Sequence, residues 1–317
     1  MLKSLAAAAL AVALSSFVAM AAEWTYTDGS GKIVALNHVP TKIVAHANSA
    51  AGLLAFGIRP VGLYADRPVA DEPSLKGLDL SGITILGEAW GEIDLEKLAA
   101  LQPDLIVAEY WPLEKAYSGM EQGGGQSGAL IEQIAPVAGP AQGDSMVTLI
   151  DDYAALAQRL GADPAIAAAE KAAFEAKKTA FQAAVSAKPN LTAMAMWAGD
   201  DGLYVASPNG SSELADFKRW GLNIITPENA DDRGYWETLS WETADKYQPD
   251  LILVDDRQGP ATRKVAESKP TWTTIKAAAA GQVSDWPAFW IRTWTQYAEQ
   301  LDKLTATINA TDENLTN

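Results

Sequence analysis

The chain alternates short apolar runs with segments of helical periodicity. In the first part of the chain the runs cover residues 42–46, 60–64, 84–86 and 105–108. Similar runs return later, at 191–196, 202–206 and 251–254. Because most of these runs are apolar throughout, they are typical of strands in a parallel sheet that is covered on both faces. With helices predicted between them, the pattern indicates an α/β fold.

One phrase of the sequence occurs twice. Residues 96–106 and 242–252 both read Glu-x5-Gln-Pro-Asp-Leu-Ile, so that Glu96 and Glu242 lie 146 positions apart. In each copy proline ends a short helix, predicted at 94–102 in the first copy, and a strand follows. Two copies at this separation indicate two similar lobes, each with a carboxylate at the same structural point. The arrangement favours a cleft between the lobes and a partner that contacts both.

A long alanine-rich segment lies between the two copies. Asp163 and Pro164 begin a helix predicted over 164–187, which spans about 36 Å at the usual rise per residue. We therefore expect two Rossmann-like α/β lobes joined by one long rigid helix, with a ligand cleft between the lobes. The predicted units are an N-terminal lobe at 23–144, a helical segment at 145–188 and a C-terminal lobe at 189–317.

The N-terminus has the features of a cleavable signal peptide. Lys3 precedes an apolar stretch, and Ala19-Met20-Ala21 forms a small-x-small cleavage signal, which predicts a signal peptide at 1–22 and export to the periplasm. No apolar segment reaches the roughly 20 residues of a membrane span, so we expect a protein that is not embedded in the membrane. The chain has no cysteine, which excludes disulfides and a lipoprotein anchor. Its net charge of −16 argues against nucleic acid as a partner.

Residues 91–108, together with the segment that ends in Gly57-Ile-Arg-Pro-Val-Gly-Leu, resemble the class III periplasmic substrate-binding proteins of iron-siderophore and cobalamin ABC importers. The resemblance extends over 23–309 and implies a rigid two-lobe carrier with a shallow cleft. In that family one glutamate on each lobe docks onto arginines of the membrane permease, and these glutamates match Glu96 and Glu242. The alternative is that both are solvated residues near a helix start, where a carboxylate suits the helix dipole.

Candidate ligand contacts are aromatic. The chain has 11 tryptophans, and Trp236 and Trp290 lie in stretches similar to ligand-facing segments of the family. Tyr110 and Trp111 follow the strand of the first repeat copy, where open α/β sheets bind ligands, and Trp90 follows the preceding strand. Such aromatic walls suit a bulky, partly apolar chelate.

Charged and ligating candidates are fewer. Arg292, Arg233 and Arg67 could meet an anionic chelate, although each could equally form a surface salt bridge. Two histidines are too few for a carrier of bare zinc or manganese. One of them, His46, closes the first strand and could face the cleft, although a structural role is equally open to it.

We expect a carrier of an Fe(III)-siderophore chelate that binds no covalent cofactor, ligates no metal itself and delivers its ligand to an ABC permease. One alternative is a haem or cobalamin carrier of the same fold, with Tyr110 or His46 as an axial ligand. A remote alternative is a secreted hydrolase that works with two carboxylates across the cleft. The sequence contains no G-x-S-x-G or metal-hydrolase motif to support an enzyme.

Overall fold

The computed structural model of the protein describes residues 23–121 and 128–315, so the predicted signal peptide lies outside it. A hairpin of β1 (Trp24–Thr27) and β2 (Ile33–Leu36) precedes the first lobe. The first sheet is wholly parallel, as predicted. Its strands are β3 (Ile43–His46), β4 (Gly62–Ala65), β5 (Thr84–Glu88), β6 (Leu105–Val107) and β9 (Val137–Ala138), and their order across the sheet is β5-β4-β3-β6-β9. Between the last two lies a small hairpin of β7 (Tyr110–Trp111) and β8 (Ala116–Tyr117).

The second sheet is mixed rather than parallel. Its strands are β10 (Thr192–Ala198), β11 (Leu203–Ala206), β12 (Asn223–Ile224), β13 (Trp236–Leu239), β14 (Leu251–Asp255) and β15 (Val283–Trp286). Strand β10 pairs in parallel with β12 and β14 but antiparallel with β11. The reason is a tight turn in which Gly199 and Gly202 are hydrogen-bonded to each other, which returns the chain directly beside β10.

Nine α-helices surround these sheets in the part of the chain that the structure describes. They are α1 (Ala47–Ala55), α2 (Leu95–Leu101), α3 (Gly128–Glu132), α4 (Met146–Arg159), α5 (Pro164–Ser186), α6 (Ser212–Arg219), α7 (Ala261–Glu267), α8 (Lys276–Ala279) and α9 (Trp294–Ala310). None of the helices of 23–121 and 128–315 is long and apolar enough to cross a membrane.

The repeated phrase has the same structural role in both lobes. Its aspartate, Asp104 in the first copy, accepts hydrogen bonds of 2.9 Å from the backbone N–H groups of Thr41 and Lys42, just before β3. In the second copy Asp250 accepts bonds of 2.9 Å from the backbone N–H and the hydroxyl of Thr192, at the start of β10. Burial acts to raise the pKa of Asp104, but these bonds lower it to about 2. The phrase therefore fixes the start of the neighbouring parallel strand in each lobe.

The two copies differ in their helices. In the first, the predicted helix forms as α2 and is capped by Asp94. In the second, residues Trp241–Lys246 form a three-ten helix, with Thr243 at a non-helical φ of −116°. Leucine and alanine dominate the first copy, whereas tryptophan and threonine, which have lower helix propensity, begin the second. Similar sequence phrases thus produce similar strand starts but unequal helices.

The link between the lobes is a pair of helices, not the single helix expected. Helix α5 forms within one residue of its predicted bounds and packs along α9. Phe174 of α5 lies 4.7 Å from the ring centroid of Trp294 and 5.0 Å from that of Tyr297, both on α9. Lys177 of α5 also forms a 2.6 Å salt bridge with Asp302 of α9. Because two helices are packed face to face, the link resists bending.

A buried ion pair joins the first lobe to the segment before α9. Glu109, which follows β6, and Arg292 are both 0% exposed, and Arg292 Nη2 donates to Glu109 Oε2 at 2.7 Å. The same carboxylate accepts a hydrogen bond of 2.8 Å from the Tyr153 hydroxyl and one of 2.7 Å from Gln142. Burial opposes the charge on Glu109, but Arg292 and these donors hold its pKa below the ordinary value.

Removing one member of this pair should be strongly destabilising. We expect Glu109→Ala to lower the free energy of unfolding by about 3–5 kcal/mol, because Arg292 would remain buried without a counter-charge. Chemical denaturation followed by far-UV circular dichroism measures the change. Glu132→Ala is the control: it removes an ion pair with Lys32 of similar length but about 40% exposed, and should cost less than about 1 kcal/mol. Equal losses in the two variants would contradict a linking role for the buried pair.

Candidate functional site

A cavity of about 1000 Å³ lies between the two lobes. Several strands end at it: β4 leads to Asp66, β14 to Arg257 and β15 to Ala288. The cavity thus occupies the place where open α/β sheets bind their ligands, at the carboxyl ends of parallel strands. Its volume is at the upper end of the range for small-molecule sites. We call it the cleft.

The structure brings five of the predicted contact residues together in the cleft. They are Trp111 and Arg67 from the first lobe, and Trp236, Trp290 and Arg233 from the second. Trp111 is held by a 2.8 Å hydrogen bond from its indole N–H to the Ser118 hydroxyl, within the β7–β8 hairpin. The aromatic character of the cleft was therefore predictable from the sequence, and it comes from both lobes.

Sequence reasoning missed two aromatic residues of the cleft, Tyr235 and Phe289. The Phe289 ring lies 5.8 Å from Tyr235 and 6.1 Å from Trp111, so it connects the aromatic groups of the two lobes. The Tyr235 ring in turn lies 4.5 Å from Trp236. The Tyr235 hydroxyl is buried and has no hydrogen-bond partner among the described residues, so it can bond to a ligand.

Phe289 is held in a strained conformation. Its φ of +62° lies in the left-handed region, which bulky residues rarely adopt and which costs on the order of 1–3 kcal/mol. The Phe289 N–H donates a 2.8 Å hydrogen bond to the carboxylate of Glu213, which is itself fully buried on α6. Burial raises the pKa of Glu213. The buried glutamate thus fixes the backbone that directs the Phe289 ring into the cleft.

Each arginine of the cleft already has a partner. Arg67 donates a 2.6 Å hydrogen bond across the lobes to the Arg257 carbonyl, and its Nε lies 3.5 Å from a carboxylate oxygen of Glu72. Arg233 forms a 2.8 Å salt bridge across the lobes with Glu114. Arg257 donates hydrogen bonds to Asp255 through both Nε and Nη2. It lies at the strand end that follows the second repeat copy, which the sequence associates with the ligand site, although Arg257 was not among the predicted contacts.

Four predicted contacts do not line the cleft. Arg292 is not available to a ligand, because it is buried in the ion pair with Glu109. Tyr110 packs its ring 5.4 Å from Tyr117 in the small hairpin. Trp90 is 47% exposed in the loop after β5. Whether a side chain lines the cleft depends on the direction in which it points, and a place near a strand end does not determine that direction.

The fourth residue, His46, is buried beside the cleft. Its Nε2 lies 3.2 Å from Asp66, a cleft residue, and the ring is only 2% exposed. Burial acts to lower the His46 pKa, but Asp66 outweighs it and the pKa is raised. The Asp66 contact occupies one of the two ring nitrogens, Nε2. Within 23–121 and 128–315 no group of three or more His, Asp or Glu side chains could hold a metal ion.

The two predicted docking glutamates are both exposed and stand outside the cleft. Glu96 lies in the first turn of α2, and Glu242 lies in the first turn of the three-ten helix. Neither glutamate is among the residues that line the cleft. The hydrolase alternative required these two glutamates to lie buried and close together, and their exposed positions outside the cleft remove its basis.

A half-buried carboxylate supports Trp290. Asp256 follows β14 and accepts a 2.7 Å hydrogen bond from the Trp290 indole. Burial raises the pKa of Asp256 to about 7, assisted by the charges of Asp285 and Asp255. The group therefore changes its charge near neutral pH, next to a wall of the cleft.

Asp256 should make stability depend on pH. Its pKa is about 7 in the folded protein and about 4 when unfolded. Because folding raises this pKa, the ionised carboxylate lowers the free energy of unfolding. This destabilisation is fully present above pH 7 and is lost as the pH falls towards 4. Asp256→Asn should therefore raise Tm at pH 8, and the gain should shrink at pH 5. The exposed Asp245→Asn is the control; a gain for Asp256→Asn that is independent of pH would contradict this assignment.

Comparison with known proteins agrees with this geometry. A protein-family model described as periplasmic binding protein matches residues 64–288. A search of curated proteins by sequence finds no significant match. Among solved structures, DesE, a ferric-siderophore receptor protein from Streptomyces coelicolor, is 30% identical over 92% of this chain and 99% of its own, with a TM-score of 0.81.

Two further structures share the fold. The siderophore periplasmic binding protein from the fuscachelin gene cluster of Thermobifida fusca is 22% identical over 86% of this chain and 97% of its own, with a TM-score of 0.63. FhuD2 from Staphylococcus aureus, solved with bound ferrioxamine B, is 18% identical over 85% of this chain and 98% of its own, with a TM-score of 0.61. At these identities the likeness concerns the fold alone.

Proposed function

This chain belongs to the periplasmic binding protein family, and on that premise we propose that it captures a ferric-siderophore chelate and delivers it to an ABC importer. The observation that carries the proposal is the cleft, lined by aromatic rings from both lobes. DesE, which is 30% identical over nearly the whole chain, is itself a ferric-siderophore receptor. The chelator supplies the iron ligands, so the protein needs none of its own.

The cleft binds its ligand by burying aromatic and apolar surface. Trp111, Trp236 and Trp290 offer flat faces that bury a large area at little cost in side-chain entropy. The α5–α9 pair and the Glu109–Arg292 ion pair limit relative motion of the lobes. The ligand therefore enters a site that is largely formed beforehand, as small-molecule sites commonly are.

Export and delivery complete the proposed role. Residues 1–22 act as a cleaved signal peptide that sends the protein to the periplasm. There Glu96 and Glu242, one on each lobe, dock onto basic residues of the permease. Both side chains are exposed and neither forms a salt bridge within the described residues, so both are free to do so.

A haem carrier is less well supported than a siderophore carrier. The proposed axial ligands were Tyr110 and His46, and neither lines the cleft. His46 is buried against Asp66, so haem iron could not reach it without opening the first lobe. Haem and cobalamin nevertheless belong in the binding test as comparison ligands.

Ligand binding should quench tryptophan fluorescence and depend on the cleft. We expect a ferric siderophore to quench the wild-type protein, and Trp236→Ala to weaken binding by about 10-fold or more, since burial of a large apolar side chain contributes on the order of 1.5–3 kcal/mol. Trp90→Ala is the matched control, because Trp90 is exposed and outside the cleft. A panel of ferric hydroxamates, catecholates, citrate, haem and cobalamin identifies the ligand class; failure of every iron chelate to bind would overturn the proposal.

Docking can be separated from capture. The double variant Glu96→Ala/Glu242→Ala should keep wild-type affinity for the chelate but abolish uptake of radiolabelled ferric siderophore by cells. The reason is that both glutamates lie outside the cleft and can act only on the permease. Glu132→Ala/Glu267→Ala, which also removes two exposed glutamates, should take up iron normally. Normal uptake by the first double variant would refute the docking role.

A further inference from the structure

The cleft lining carries more negative than positive charge. Three arginines face it, and five carboxylates do, which leaves an excess of two negative charges. The carboxylates are Asp66, Glu72, Glu114, Asp144 and Asp231. Among the described residues of the lining, none is a lysine. Asp255, directly behind Arg257, is a further carboxylate and is only 1% exposed.

The positive charges of the cleft are already neutralised. Arg257 is bound to Asp255 through two nitrogens, and its guanidinium lies 5.1 Å from the Phe289 ring centroid. Arg233 is bound to Glu114. Arg67 Nε lies 3.5 Å from a carboxylate oxygen of Glu72, so each of the three arginine charges has a carboxylate beside it. An anionic ligand that approached these guanidinium groups would lie beside the carboxylates already paired with them, and repulsion between like charges would oppose its binding.

Ferric chelates differ in charge according to their ligating groups. Each hydroxamate loses one proton on binding iron(III), so three hydroxamates give an uncharged complex. Each catecholate loses two, so three catecholates give a complex with three negative charges. Citrate complexes are also anionic. The net charge of the lining therefore discriminates between these classes, and the aromatic rings supply attraction that does not depend on charge.

We infer that the cleft selects by charge: it takes an uncharged or singly cationic ferric trihydroxamate and disfavours multiply anionic chelates. This inference rests on the proposed function, because it names the ligand class of the same site. A cationic group on the ligand would meet Glu114 or Asp231 at the cleft. The protein's overall charge of −16 adds to the repulsion of anions during approach.

The test varies charge while keeping one iron core. The probes are ferrioxamine B, which carries an ammonium group, its N-acetylated form, which is neutral, and its N-succinylated form, which is anionic. Dissociation constants come from fluorescence quenching at low and moderate ionic strength. We expect the succinylated form to bind about 10-fold more weakly than the acetylated form at low salt, with the difference narrowing as salt screens the charges. Equal or tighter binding of the succinylated form would overturn the inference.

A charge variant makes the test specific to the lining. Glu114→Gln removes one lining carboxylate and frees Arg233, and both side chains are exposed enough for the fold to tolerate the change. It should improve affinity for the succinylated probe several-fold relative to the acetylated probe, so that the ratio of the two dissociation constants narrows. Glu132→Gln, an exposed change outside the cleft, should alter neither. Unchanged discrimination in Glu114→Gln would place the selectivity elsewhere and contradict the inference.

Ferric enterobactin, a tris-catecholate, separates a failure of the charge inference from a failure of the proposed function. If it binds as tightly as the trihydroxamates, the charge inference fails while the proposed function stands. If no iron chelate of the whole panel binds, the proposed function fails as well.

Discussion

The buried ion pair of Glu109 and Arg292 is the constraint on which the arrangement of the lobes depends. Neither side chain reaches solvent, and the carboxylate is further satisfied by Tyr153 and Gln142. A buried charge that loses its partner is costly, so the two groups hold each other in place. Because one follows the central region of the first sheet and the other precedes α9, the pair determines how the first lobe meets the α5–α9 helices. The cleft then forms at the strand ends beside it.

Two further buried carboxylates extend this constraint into the second lobe. Asp216 on α6 accepts hydrogen bonds from Ser145 and the backbone of Met146, at the start of α4. Glu213, on the same helix, holds the strained backbone of Phe289. Polar groups at the lobe interface therefore specify geometry, whereas the aromatic rings supply the surface for binding. Because buried polar groups position the lobes, the aromatic rings of the cleft are held at fixed places in a protein that is acidic as a whole.

The sequence predicted the lobes more accurately than the site. The repeated phrase identified two lobes because its aspartate fixes the start of a neighbouring strand in each of them. The helix, proline and strand of each copy are consecutive in the chain, so their order is visible in the sequence. Trp111, Trp236 and Trp290 were found because strand ends and loops place them. Arg292 was assigned to the cleft wrongly, since its partner Glu109 lies 183 residues away and pairing at that distance leaves no local pattern. Phe289 was missed because a left-handed conformation is signalled by glycine, not by phenylalanine.

The central claim is that a ferric chelate occupies the aromatic cleft while the buried ion pair stays intact. Anomalous diffraction at the iron absorption edge, from crystals grown with a ferric trihydroxamate, tests it most directly. The account predicts one iron peak between Trp111, Trp236 and Phe289, with Glu109 and Arg292 still paired. An iron peak outside the cleft, or a bound structure in which the lobes have separated and the pair is broken, would contradict it.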